Sequence, residues 1–200
     1  MRKTYDRIMA RTKEFIPEEV LDAASKVFWE KGFEATSIDD LVTATGVNRA
    51  SLYGTFGDKA ALFQKVVDRY NCQSMQMLAG AGADRSGLAK IRAVFEVIAR
   101  ETCEESRGCL LVNTAAELGG RDPEMQAAAK RSREQVEDFF AGCLRQARRE
   151  GKLAPSRNIR ALARFLANTV LGLRILAKSE PAPGEVTDIV ETALSALTES

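Results

Sequence analysis

The chain contains no histidine, so the commonest general base and the commonest metal ligand are both missing. No HExxH pattern, Walker loop or nucleophile elbow occurs either, and an enzyme is not expected. Cysteine is scarce as well. Cys72, Cys103, Cys109 and Cys143 stand without CxxC spacing, which argues against a zinc site or a dithiol pair and predicts free thiols in a reducing compartment. Gly80, Gly82 and Gly87 lack dinucleotide-fingerprint spacing and follow no predicted strand, so 79–87 reads as a flexible connection, and no cofactor is expected. No apolar run reaches transmembrane length and no signal-peptide pattern precedes Glu18, so a cytoplasmic protein without a membrane partner is expected. Formal net charge is only +1. Any affinity for nucleic acid must therefore come from a local basic surface.

What remains is a globular composition, 45% hydrophobic and 28% charged over 200 residues, enough for a sizeable core in one or two domains. The N-terminus supplies one basic surface: Arg2, Lys3, Arg7, Arg11 and Lys13 against Asp6 and Glu14. Such an arm fits either a minor groove or a solvated tail.

The apolar spacing is helical throughout. Pro17 with Glu18 and Glu19 opens a first helix that should stop at Gly32, with Val20, Leu21, Ala24, Val27 and Phe28 as its buried stripe and Trp29 partly exposed beside it. The stretch TSIDDLVTATGVNRASLYGTFGDKAALF, residues 36–63, then holds two short helices around a glycine. Thr36 and Ser37 can cap the first of these, Asp39 and Asp40 suit its positive end, and Gly46 stops it. A second helix begins at Asn48, with Leu52 and Phe56 facing inward. This is the pattern of a helix-turn-helix, in which the second helix enters the major groove. Asn48, Arg49, Ser51 and Tyr53 would then face bases and phosphates. Asp58 caps a further helix running to about Leu78, and Lys59 in its first turn is electrostatically misplaced unless an anion lies nearby.

Residues Val20 to Phe63 resemble, without a gap, the DNA-binding domain of the TetR family of bacterial transcriptional repressors. Ala24, Phe28, Gly32 and Phe33 carry the likeness ahead of the motif, and Thr36, Ile38, Leu41, Ala44, Gly46, Val47, Leu52, Tyr53, Phe56, Lys59 and Leu62 carry it within. Thr55 departs from the family, which often has a histidine or larger polar residue there. The resemblance implies that Lys59 meets a DNA phosphate, and the DNA-facing set becomes Thr36, Ser37, Asn48, Arg49, Ser51, Tyr53 and Lys59. It implies an all-α fold: an arm and three-helix DNA-binding domain over 1–70, and a helical effector-binding and dimerisation domain over 71–200.

Within that second region, helices are predicted over Leu88–Glu104, Cys109–Leu118, Pro123–Glu150, Ile159–Lys178 and Glu185–Leu197. The last two, joined by EPAPG, form an αα-hairpin whose stripes include Leu162, Phe165, Leu166, Val170, Leu173, Ile189 and Leu194. Burial within one chain explains such stripes; the resemblance implies instead that they pair with a second copy, and reading two half-sites requires a dimer. Met75, Met77, Phe95, Ile98, Val112, Phe139 and Phe140 fit either ordinary core or the small-molecule cavity the family usually has. Asn113 and Glu117, four apart on an apolar helix, need partners if buried, and either orient a ligand or tie helices together. The segment RGCLLVNTAAELGG resembles a motif of one subgroup of the family, which includes a repressor that responds to electrophiles through the cysteine of its Gly-Cys-Leu. Here that residue is Cys109, with Cys103 as a possible resolving thiol if the chain turns back at 106–108. The expected protein is thus a dimeric repressor of palindromic operator DNA released by a small molecule, electrophile or oxidant. A helical protein-interaction module or a ligand-binding protein without DNA is the alternative.

Overall fold

In the computed structural model, residues 15–82, 84–104, 107–118 and 120–198 are described. The basic N-terminal arm, and residue 106 of the return expected over 106–108, lie outside the described residues. All regular structure among the described residues is helical: α1 (Pro17–Ala35), α2 (Ile38–Thr45), α3 (Arg49–Phe56), α4 (Lys59–Gly80), α5 (Gly87–Glu104), α6 (Leu110–Leu118), α7 (Pro123–Arg149), α8 (Ile159–Leu176), a 3-10 turn (Ala177–Ser179) and α9 (Pro183–Ser195).

Local chemistry accounts for most of these limits. Ser37 and Asp40 form a reciprocal capping box at the start of α2, and Gly46 ends it at φ +67°, a left-handed conformation that costs glycine little. Asn48 caps α3 and Asp58 caps α4 through their side-chain oxygens. Asp122 caps α7, which carries proline at its start and Arg148 and Arg149 at its negative end. Gly32 does not stop α1. It kinks the helix at φ +80°, ψ 172°, and a last turn follows to Ala35.

Two apolar cores result. One lies behind α1 to α4 and includes Phe28, Leu41, Leu52, Phe56 and Phe63; it is completed by Leu110, Leu111 and Leu118 of α6 and by Met125 and Ala128 of α7. The other joins α5, α7, α8 and α9 around Phe95, Phe140, Leu144 and Leu166. Helix α4 runs unbroken from the first core, at Phe63 and Val66, into the second, at Leu78, so the two halves share it as a strut.

The hairpin stripe divides between two surfaces. Leu166, Val170, Leu173 and Leu194, expected between two copies, are buried in this chain's own second core, and Leu162 packs at its edge. The reason is that α8 packs against α7 and α5 of the same chain, and α9 against α5 and α8, so these helices cover the stripe themselves. Phe165, Ile175 and Ile189 instead stay 45%, 55% and 38% exposed.

Candidate nucleic-acid interface and effector cavity

Burial of Leu52 and Phe56 turns the opposite face of α3 to solvent, and Arg49, Ala50, Tyr53 and Gly54 lie on it. Tyr53, a large aromatic, is 41% exposed. Arg49 reaches back to Asp39 on α2, with Nη2 3.0 Å from Oδ1. Asn48 and Ser51 are engaged in the cap: Asn48 Oδ1 accepts the Ser51 N–H at 2.9 Å. Ser37 likewise accepts from the Asp40 N–H and donates its hydroxyl to Asp40 Oδ2. Lys31 Nζ closes on Asp40 Oδ1 at 2.6 Å, a basic group beside the motif for which the apolar pattern gave no signal. Chiefly this ammonium, and then the Ser37 N–H and hydroxyl, hold the Asp40 carboxyl well below the usual carboxylate range.

Two expected DNA contacts are placed differently. Thr36 is buried, and its hydroxyl donates to the Gly32 carbonyl at 2.6 Å, closing the turn that follows the kink. Lys59 finds its negative partner inside the protein. Its ammonium donates to the carbonyls of Phe33 and Thr36, each at 2.9 Å, and sits 4.4 Å from the centre of the Phe33 ring. Carbonyls at the end of α1 are the anion-like group that a lysine in this place requires.

In the second half, a cavity of about 270 Å³ opens between α6, α7 and α8. Cys109, Val112, Ala115, Val136, Val170 and Leu171 are among its walls, with Lys130 and Arg133 at one side. Cys109 directly precedes α6, and its carbonyl accepts the Asn113 N–H at 2.9 Å. Its sulfur accepts a hydrogen bond from the Tyr70 hydroxyl at 3.6 Å. Burial, and then the neighbouring Cys109, push the Tyr70 phenol far above its ordinary value, so Tyr70 remains a neutral donor.

The other effector candidates lie elsewhere. Phe95 is fully buried against Phe140, so its place is core. Ile98 and Phe140 are core for the same reason, and of the apolar residues offered as lining, Val112 is the one that reaches this cavity. Asn113 Nδ2 donates to the Arg107 carbonyl. Glu117 turns away from the cavity and accepts the backbone N–H groups of Phe33 and Glu34. Asn113 thus closes the turn that leads into its own helix, and Glu117 ties α6 to α1. Cys103 is exposed in the last turn of α5, and Cys143 is a buried thiol whose pKa is raised by that burial.

A capped first helix, a left-handed glycine and a second helix with arginine and tyrosine on its open face together define a helix-turn-helix DNA-binding protein. The sequence comparisons narrow the class. Residues 20–66 match the family model described as bacterial regulatory proteins, tetR family, and residues 87–193 match the tetracyclin repressor-like C-terminal domain. This chain belongs to the TetR family of DNA-binding transcriptional regulators. Among its relatives, it is 36% identical to the uncharacterized HTH-type transcriptional regulator YezE of Bacillus subtilis, over 94% of this chain and 100% of that protein. It is 31% identical to the HTH-type transcriptional repressor ComR of Escherichia coli, over 92% of this chain and 90% of that one. Among solved structures, a cysteine mutant of the TetR family regulator CifR bound to 26-bp double-strand operator DNA superposes with a TM-score of 0.81. The two are 26% identical over 94% of this chain and 99% of CifR.

Proposed function

We propose that the protein is a cytoplasmic, homodimeric repressor that holds a palindromic operator through two copies of α3 and lets go when a small electrophile or oxidant modifies Cys109. The observation that carries the reading is the place of Cys109: a thiol in the wall of a mostly apolar cavity, hydrogen-bonded to Tyr70 of the strut helix α4. Tyr70 in turn packs edge-on against Trp29 of α1, with ring centres 5.1 Å apart. A group added to the sulfur would press on the packing behind the DNA-binding helices. On the DNA side, Arg49 and Tyr53 read bases while Ser37, Asn48 and Ser51 hold the two helices in register. The exposed Phe165, Ile175 and Ile189 form the surface that a second copy covers, which sets two α3 helices at half-site spacing. The relative CifR, crystallised on its operator, supports the DNA half of this reading.

The experiment starts by selecting bound sequences from a random duplex pool with the purified protein. Wild type and Cys109→Ser are then treated with N-ethylmaleimide or hypochlorite, and operator binding is followed by fluorescence anisotropy. Release from wild type and retention by Cys109→Ser is the expected result. Release from both, or from neither, overturns the sensor role, and failure to enrich any sequence overturns the DNA role.

A further inference from the structure

Helix α6 is fastened to α1 at both of its ends. Ahead of its first turn, Trp29 Nε1 donates to the Arg107 carbonyl at 2.9 Å. In its last turn, the Glu117 carboxylate receives two backbone N–H groups of the α1 terminus, Oε2 from Phe33 at 3.0 Å and Oε1 from Glu34 at 2.8 Å. Gly32 breaks the helical path, so Phe33 and Glu34 open the turn that follows it, and a carboxylate at that positive end is the natural partner. The approach is so close that a Cβ on Gly32 would stand 2.7 Å from Glu117 Oε2.

The far side of the same turn is held by α4, through Lys59 on the carbonyls of Phe33 and Thr36. Directly after it comes Ser37, the cap of α2. The turn that launches the helix-turn-helix is thus gripped between a cation of α4 and an anion of α6. An apolar contact in this place would tolerate sliding, but a two-pronged bond at 2.8–3.0 Å is lost within a few tenths of an ångström.

We infer that Glu117 is a positioning residue for DNA reading, the point at which the C-terminal half sets the angle between α1 and α2 and hence the seat of α3. The other end of α6 adjoins Cys109, about 13 Å away along a rigid nine-residue helix. On the proposed function above, displacement of that end by a modified thiol would reach the DNA-binding helices by loosening this bond. The positioning role itself needs only the DNA-binding reading, and it can be tested without an effector.

The test uses full-length Glu117→Ala and Glu117→Gln, the selected operator, a random duplex, thermal unfolding and amide exchange at Phe33 and Glu34. Glu117→Ala should raise exchange at both amides and weaken operator binding roughly tenfold, while random duplex, held by phosphates, binds within about twofold of wild type. Glu117→Gln keeps the side-chain volume and one acceptor oxygen; it should remain folded and fall between the two. Loss of specificity with an unchanged melting profile in Glu117→Gln is the signature that a merely structural tie would not give. Operator affinity within about twofold of wild type despite lost amide protection overturns the positioning role. Unchanged amide exchange overturns the bond, and parallel loss of operator and random-duplex binding in step with unfolding leaves Glu117 as a structural tie. If Glu117→Ala does not fold, the Gln variant decides by the same criteria. A wild-type protein that enriches no sequence removes the DNA reading itself, a result distinct from failure confined to the variants.

Discussion

The Tyr70 hydroxyl donates to Cys109 Sγ across 3.6 Å, and with that bond the strut helix α4 touches the residue that opens α6. Tyr70 also packs on Trp29, whose indole N–H holds the Arg107 carbonyl. Four residues from three parts of the chain therefore meet at one point between the DNA-binding helices and the cavity. Tyr70→Phe removes the donor and leaves the ring, so operator affinity before treatment should stay close to wild type. The rate of N-ethylmaleimide addition at Cys109, read by mass spectrometry, should change; an unaltered rate would mean that the phenol has no hold on the sulfur.

Arg49→Ala should weaken operator binding by about 1 to 3 kcal/mol if the guanidinium makes a paired base contact, with little change on random duplex. Asp39→Ala should act in the opposite direction, because it releases Arg49 from its 3.0 Å partner and removes a negative charge from the groove-facing side. The pair is exposed, so the fold should not notice its loss. Anisotropy titrations on operator and random duplex check both; equal affinities for all three proteins would move the reading head away from this face.

Lys59 distinguishes an internal tie from a phosphate contact. With two carbonyl partners at 2.9 Å, Lys59→Met should lower stability by about 1 to 3 kcal/mol in urea unfolding and leave the slope of log affinity against log salt unchanged. A slope flatter by about one unit, at unchanged stability, would instead place a phosphate on this ammonium.

Phe165→Glu with Ile189→Glu should give a folded monomer, since both side chains are exposed in the single chain and belong to the surface proposed for the second copy. Leu166→Ala should do something else. Leu166 is 0% exposed, and its truncation should cost about 2 to 5 kcal/mol in unfolding without directly breaking the dimer. Sedimentation velocity and urea melts separate these outcomes, and a double glutamate variant that stays dimeric would place the interface elsewhere.

The helix-turn-helix should weaken in acid through Asp40. Its folded pKa lies below the unfolded one, so its contribution is complete above about pH 4 and is lost as pH falls further through the folded value. Asp40→Asn lacks this contribution throughout. Thermal unfolding of the two proteins should differ at pH 7 and converge as the pH drops below about 4; curves that stay parallel would show that the Lys31 and Ser37 contacts do not stabilise the fold.

Much of the architecture was legible because it depends on neighbours in the chain. Ser37 with Asp40, Gly46, Asn48, Asp58 and Asp122 with Pro123 set helix ends through bonds that span no more than a few residues, and all of them stand where their chemistry predicts. The inward pair Leu52 and Phe56 and the open pair Arg49 and Tyr53 follow from the same 3.6-residue period. Partner choice across the molecule was not legible. A period marks an apolar face but not which helix covers it, so Leu166 and Leu173 are assigned from sequence to the dimer surface and are instead core of the single chain. Lys59 announced a need for negative charge, yet only packing supplied the carbonyls at the end of α1 in place of a phosphate. Glu117 announced a need for donors, and they came from residues 83 and 84 positions earlier, just after the kink at Gly32. Short-range hydrogen bonds and periodicity are written into the sequence, whereas the pairing of distant polar groups is decided when the helices settle against one another and packing fixes which donors and acceptors come within reach.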